Sequence, residues 1–499
     1  MNRINYLMSA LLGVALVSSV SAQTSRDDEV LNKLNALEGE VKKLRESNAK
    51  LEHKVSQYEL GENWLDKRRA EEVRSLIKEV LADADTRASL LADGAVAGHD
   101  GRYFYLASAD GGFRLNIDGR VQVRYLYNHR DRGAGSVIDE NEAGFELRRV
   151  NLNFHGTINS GPKFLYAVGI QTEGDDQELN LDHAKIGYQI SDTLTLWAGE
   201  DKAWFLREEM TSASHQLAME RSLVNEAFTL GRIQGIWLVW QPDDMFKIYG
   251  SINDGLRSGE ADGAGGFECC GTSKSFNEDV VDIAFTARLD FKISGNWDQT
   301  KDFSAWEGEP TGIFVGAAVH YQVAETGDLQ TAGDDLDFPN IGGEYDAFLT
   351  WTIDGSLESN GFNIFGSLVG THTKSVETPG NNGVDHYGAM IQVGYMVIPN
   401  KLEPYFRIEW MTMDDTGALG DTPNDVTLLT FGANWYIKKH AAKFTLDVVW
   451  ALDPLEGQNI DQHPIAVTKG KSLSGLGLLF DDANQDNQFV IRAQFQLLF

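Results

Sequence analysis

The chain closes on "FVIRAQFQLLF", residues 489–499. Phe489, Ile491, Ala493, Phe495, Leu497 and Phe499 are apolar, and Arg492, Gln494 and Gln496 stand between them. A two-residue period puts these two sets on opposite faces of a strand. The same period runs through "FRLNIDGRVQVRYLY" from residue 113 and "VVDIAFTARLDFKI" from residue 280. In the first, Phe113, Leu115, Ile117, Val121, Val123, Tyr125 and Tyr127 share a face against Arg114, Asn116, Asp118, Arg120, Gln122 and Arg124. Such runs are about twice as long as an ordinary sandwich strand.

Sixteen stretches of this kind can be placed, near 113–127, 144–158, 162–173, 178–190, 193–201, 229–241, 244–253, 280–293, 310–323, 343–355, 360–372, 386–398, 402–412, 426–438, 442–451 and 488–499. The connections between them alternate in length. Long ones span 128–143, 202–228, 254–279, 324–342, 373–385, 413–425 and 452–487; short ones include 159–161, 191–192, 242–243 and 439–441. Only 174–177 and 294–309 break the rule. Regular long strands with one greasy face, long loops at one end and short turns at the other are the pattern of a barrel closed inside a bilayer. There every backbone N–H and C=O must be paired within the protein, so a sheet has to close on itself. Trp410, Trp435, Tyr436, Trp450 and Phe499 fall near strand ends, where interfacial girdles form.

Upstream the period changes to a heptad. Leu34, Val41, Asn48 and Val55 alternate with Leu37, Leu44 and Leu51 in 4,3 spacing over residues 30–58. That predicts a coiled coil roughly 45 Å long, with Asn48 fixing its register. Residues 66–92 read as a second, more polar helix, and "GAVAGHDG" at 94–101 as a linker. The fold predicted is all-β: a sixteen-stranded antiparallel transmembrane β-barrel with an N-terminal α-helical coiled coil. Its parts are a signal peptide at 1–22, a periplasmic coiled coil at 23–65, a helical segment and linker at 66–111, and an outer-membrane barrel at 112–499.

Composition narrows the chemistry. A net charge of −31 argues against nucleic-acid binding, which needs a basic surface. The two cysteines, Cys269 and Cys270, are adjacent and form neither a disulfide framework nor a zinc set. Residues 1–22 have the charged, apolar and small-residue regions of an export signal. No later stretch is long and apolar enough for a membrane helix. "TKGKS" at 468–472 lacks the first glycine of a phosphate loop, position 465 being Ile. Catalytic motifs are missing, so neither enzyme activity nor a metal or cofactor is expected. The implied address is the outer membrane of a Gram-negative-type bacterium, with the coiled coil in the periplasm.

"GGFRLNIDGRVQVRY" (111–125), "FELRRVNLNFHGTI" (145–158), "MTSASHQLAMERSLVNEAFTLGRIQGIWL" (210–238) and the closing "FGANWYIKKHAAKFTLDVVW" with "FVIRAQFQLLF" resemble the phosphate-selective porin O and P family. The resemblance implies sixteen-stranded trimeric channels, often preceded by a coiled coil, with anion selectivity from a ladder of Arg and Lys. Arg148, Arg149, Arg221 and Arg232 match that family by motif, although strict alternation turns Arg148 outward.

Within a channel of this kind, parity turns Arg114, Arg120, Arg124, Arg149, Lys163, Lys185, Arg288, Lys292, Arg407 and Arg492 toward the lumen. Asp118, Glu173, Asp282, Asp290, Glu409 and Asp447 join them. The connection 202–228, with Arg207, Glu208, Glu209, Glu220 and Arg221, is the candidate constriction. Loops 324–342, 413–425 and 452–487 hold fifteen acids against two lysines, which an anion funnel would not want. Sixteen strands leave a water-filled channel, so the function expected is passive diffusion of small hydrophilic or ionic solutes, phosphate among the anions to be tested, through a homotrimer in outer-membrane lipid. The alternative is an outer-membrane anchor, tether or adhesin whose coiled coil reaches peptidoglycan or another periplasmic partner.

Overall fold

The computed structural model describes residues 39, 41–50, 95–132, 140–159, 161–173, 179–255, 283–323, 345–375, 384–412, 425–453, 455, 476–479 and 485–499. Two compact units are present, Met1–Gly94 and Ala95–Phe499. In the first, residues 41–50 are helical, and the seam residues Val41 and Leu44 are 45% and 69% exposed. Asn48 lies on the same helix. Leu34, Leu37, Leu51 and Val55 fall outside the described residues, as do the export signal, the helix expected at 66–92 and the cysteine pair.

In the second unit, β1 (Ala95–His99) and β2 (Phe104–Ser108) form a hairpin. Of the linker expected at 94–101, residues 95–99 are a strand instead, and β2 pairs with the start of β3, adding a sheet extension. Sixteen antiparallel strands follow: β3 (Phe113–Arg132), β4 (Asn141–Asn159), β5 (Lys163–Glu173), β6 (Leu179–Ser191), β7 (Leu194–Lys202), β8 (Arg232–Trp240), β9 (Phe246–Asn253), β10 (Ile283–Ser294), β11 (Gly312–Val323), β12 (Tyr345–Ser359), β13 (Phe362–Ser375), β14 (Val384–Tyr395), β15 (Leu402–Thr412), β16 (Asp425–Lys438), β17 (Ala442–Ala451) and β18 (Gln485–Leu498). Each pairs with its sequence neighbour, and β18 pairs with β3, so the sheet has no free edge around the ring. Closure ends at Phe499, whose amide donates to the Gly119 carbonyl at 3.0 Å. A Cβ at Gly119 would lie 2.4 Å from the Phe499 ring, so a side chain there would displace that ring.

The alternation decides which face meets what. On β10, Ile283, Phe285, Leu289 and Ile293 are 41–54% exposed, whereas Ala284, Thr286, Arg288 and Asp290 are at most 9% exposed. The exposed set is the outer wall. Left in water it would be a continuous apolar band; in a bilayer it matches the acyl chains. Trp410, Trp435, Trp450 and Phe499 are exposed on that surface. Tyr436 is not: it is 2% exposed and faces inward, because its ring packs on Trp306 and its hydroxyl bonds Ser304. The turn between β12 and β13 is Asn360–Gly361, both with positive φ, as a two-residue hairpin requires.

Candidate functional site

The barrel is not an empty cylinder. Residues 203–231, between β7 and β8, lie inside it and are almost wholly buried. This segment bonds to itself first. It contains short helices Arg207–Met210 and Leu223–Phe228. Ser222 caps the second, its hydroxyl accepting from Asn225 N at 2.9 Å. The Glu208 carboxylate accepts from Ser222 N at 2.7 Å, tying the two ends together. Glu209 takes Lys202 at 2.8 Å, Arg221 at 3.2 Å and Asn225 at 2.9 Å. Among its carbonyls, those of Glu208 and Thr211 receive Gln216 and Arg221.

Other carbonyls are met by the wall. Arg288 of β10 donates to Phe205 O at 2.7 Å, Arg407 of β15 to Glu220 O at 2.8 Å, and Asn434 of β16 to Leu217 O at 2.7 Å. Lys443 of β17 reaches Gln216 O and Gln496 of β18 reaches Ser214 O, both at 3.0 Å. A buried loop needs this, because its peptide groups cannot reach bulk water. On β14 the wall gives way instead. A Cβ at Gly388 would sit 2.8 Å from Val224 and 2.9 Å from Phe228, so glycine makes room for the helix.

The charged pin is Glu220. Its carboxylate accepts from Arg148 Nε and Arg149 Nη1 at 2.9 Å and from Arg124 Nη1 at 3.1 Å. Burial raises its pKa, but the three guanidiniums outweigh burial and hold it well below the ordinary carboxylate range. Both arginines of "FELRR" reach it because β4 carries a β-bulge: Gln122 pairs with Arg149 and Val123 with Leu147, leaving Arg148 as the extra residue. Strict alternation misassigned Arg148 for that reason. Glu208 behaves oppositely. Burial, with Glu409 nearby, pushes it up to about 7 despite Arg407 and Ser222.

Most of the basics that parity turns toward the lumen are buried against partners and do not line open water. Arg124 also binds Glu146 at 2.7 Å, Arg492 binds Asp447 at 2.7 Å, and Arg288 binds Asp354 at 2.8 Å and Asp290 at 2.6 Å. Arg407 binds Glu409 at 2.6 Å, and Lys292 binds Asp244 at 2.7 Å. All five cations are buried. Arg114 pairs with Asp100 of the hairpin loop, Arg120 donates to Asn151 at 3.0 Å, and Lys185 pairs with Asp201. These three keep partial exposure, as do Asn116, Asp118, Asn153, His155, Lys247 and Tyr249. The partly exposed inward positions therefore lie on β3, β4, β6 and β9.

The opposite arc is dry. Phe365, Val369, Met390, Tyr405, Met411, Val426, Leu428, Val449 and Val490 point inward and pack against Leu217, Leu223, Val224 and Phe228. Leu455, Leu476 and Leu478 of the last long connection join them. The connection between β10 and β11, at the short-turn end, also enters. Phe303 meets Phe365 in a tilted ring contact at 4.6 Å, Ser304 Oγ lies 3.1 Å from a Glu403 oxygen, and Trp306 Nε1 donates to Asp302 at 2.9 Å. A uniformly water-filled channel, as expected from sixteen strands alone, is corrected by these inserts. A signal was present in the sequence: Val448–Val449–Trp450 and Phe489–Val490–Ile491 are apolar on both faces.

A closed sixteen-stranded barrel with a greasy outer wall and a connection folded across its lumen defines an outer-membrane channel of the porin class. The model of the family described as phosphate-selective porin O and P matches residues 115–266 of the chain. Among solved structures, the anion-selective porin from Comamonas acidovorans is similar with a TM-score of 0.50 and 12% identity, over 77% of this chain and 99% of that one. OmpF of Salmonella typhi, in complex with daunomycin, is similar at 0.48 and 11%, over 78% and 98%. OmpT of Vibrio cholerae follows at 0.45 and 12%, over 77% and 98%. At such identities the likeness is one of fold. No curated protein matches by sequence.

Proposed function

We propose that the protein is a passive, non-catalytic pore for small hydrophilic or ionic solutes, working as a homotrimer. The observation that carries this reading is the loop 203–231, held inside the barrel by Glu220 and by wall side chains, beside half-buried polar positions on β3, β4, β6 and β9. A loop so placed narrows the path through the barrel. Phosphate preference draws little support from the charges. Arg124, Arg149, Arg288, Arg407 and Arg492 are each paired with carboxylates, so a dianion would meet a largely compensated lining. Exposed Val41 and Leu44 support self-association of the N-terminal helix as a periplasmic coiled coil.

The anchor reading has one observation in its favour, the dry apolar packing inside the lumen. Planar-bilayer recording separates the two. A pore gives stepwise openings in groups of three, with a reversal potential in a KCl gradient that reports ion preference. Folded protein that inserts and stays silent would overturn the pore and leave the anchor.

A further inference from the structure

Arg207 stands apart from Arg221, the other arginine of the inserted loop. It is 5% exposed, yet neither Nε nor Nη2 has a hydrogen-bond partner. The acids around it are committed elsewhere. Glu208 holds Ser222, Glu209 holds Lys202, Arg221 and Asn225, and Asp290 and Asp354 both hold Arg288. Phe303 and Phe314 crowd its guanidinium carbon, each ring centre 5.8 Å away, and offer no acceptor. Glu358 of β12 is within electrostatic reach, 2% exposed, and its Oε1 is likewise without a partner. Orphaned donors on a buried ionised group are costly, and native proteins rarely keep them without a use.

We propose that the Nε–Nη2 edge of Arg207 is a subsite for a monoanionic carboxylate, placed where the inserted loop meets the β10–β11 connection and the wall. That edge offers two parallel N–H groups, the fork that matches two carboxylate oxygens. One guanidinium compensates one negative charge. A phosphate dianion there would leave a net buried charge, so the site favours a monoanionic carboxylate over that dianion. The proposal deepens the channel reading above by naming a solute class, small carboxylates.

Saturation-transfer NMR with acetate on the full-length protein in detergent micelles tests it, and reads binding whether or not the barrel conducts. In wild type the acetate signal should saturate and be displaced by formate far more readily than by inorganic phosphate. In Arg207→Gln the apparent affinity should fall by at least about tenfold. Arg207→Lys, which keeps the charge but loses the fork, should fall between the two. Equal binding in wild type and Arg207→Gln overturns the proposal. So does phosphate displacing acetate better than formate does, a result that needs no variant. Acetate binding in a silent barrel would sink the pore and keep the site; a conducting barrel that ignores acetate would do the reverse.

Discussion

Neutralising Glu220 is the sharpest test of how the inserted loop is held. In Glu220→Gln the side chain keeps its size and one acceptor but loses the charge that Arg124, Arg148 and Arg149 share. With an effective dielectric of about 20, each contact near 3 Å is worth roughly 5 kcal/mol before desolvation. Most of that is offset by the cost of burying the ions. Removing one member of such a network, which leaves its partners buried, costs about 3–5 kcal/mol. Arg124 retains Glu146 at 2.7 Å, but Arg148 and Arg149 lose the carboxylate that turns both toward the loop. The loop's hold on β3 and β4 should fail before the barrel does, because the sixteen-strand hydrogen-bond ring is untouched. Single-channel conductance should therefore rise, and the reversal potential in a KCl gradient should move toward anions as a negative charge leaves the lumen. Heat-modifiable mobility on a gel would show that the barrel is still folded. A folded Glu220→Gln protein with unchanged conductance and unchanged reversal potential would refute the pinning argument.

Two other perturbations act on the same seat. Gly388→Leu should force helix Leu223–Phe228 off β14, since a Cβ there already meets Val224 at 2.8 Å; overpacking of this kind costs about 1–3 kcal/mol. Noisier and larger single-channel currents are expected, while Gly250→Leu, with nothing within 4 Å of its Cβ, should record like wild type; equal traces from both would disprove the close fit. The pH response has two limbs. Glu220 is depressed, so its contribution is present above the ordinary carboxylate pKa and is lost as pH falls below it; Glu208 is raised to about 7, so its contribution is full below its ordinary value and is lost as pH rises toward 7. Current noise should be least near pH ~4.5 and grow on both sides, levelling off above about 7; a flat profile from about pH 4 to about pH 8 contradicts it.

The outer wall was legible in the sequence because one solvent, the acyl chains, touches every strand in the same way. Ile283, Phe285, Leu289 and Ile293 need no knowledge of their neighbours to be assigned outward. The inner wall obeys no such uniform rule. Where water reaches it, as at Arg114, Asn116, Asp118 and Arg120, alternation survives and parity works. Where a third layer packs against it, inward positions turn apolar. Val490, between Phe489 and Ile491, then carries no label saying which face it serves. Bulges add a second blindness. Arg148 shares the inner side with Arg149 only because β3 pairs two residues on β4 against one of its own, a fact of two strands and not of either sequence.

The same limit explains why the basic residues were found but their role was misjudged. Periodicity within a strand yields direction; it says nothing about partners, which come from other strands. Arg492 meets Asp447, its direct cross-strand partner between β17 and β18, and Arg288 meets Asp354 two strands away on β12. Each pairing turns a predicted lining charge into a buried, compensated one, and a tally of inward arginines then overstates the field an ion would feel. Arg207 was placed in the constriction by the loop's length and charge alone, but its unspent donors became visible only once the commitments of Glu208, Glu209, Asp290 and Asp354 were known. Selectivity in such a lumen rests less on how many cations face inward than on which of them the fold has left unpaired.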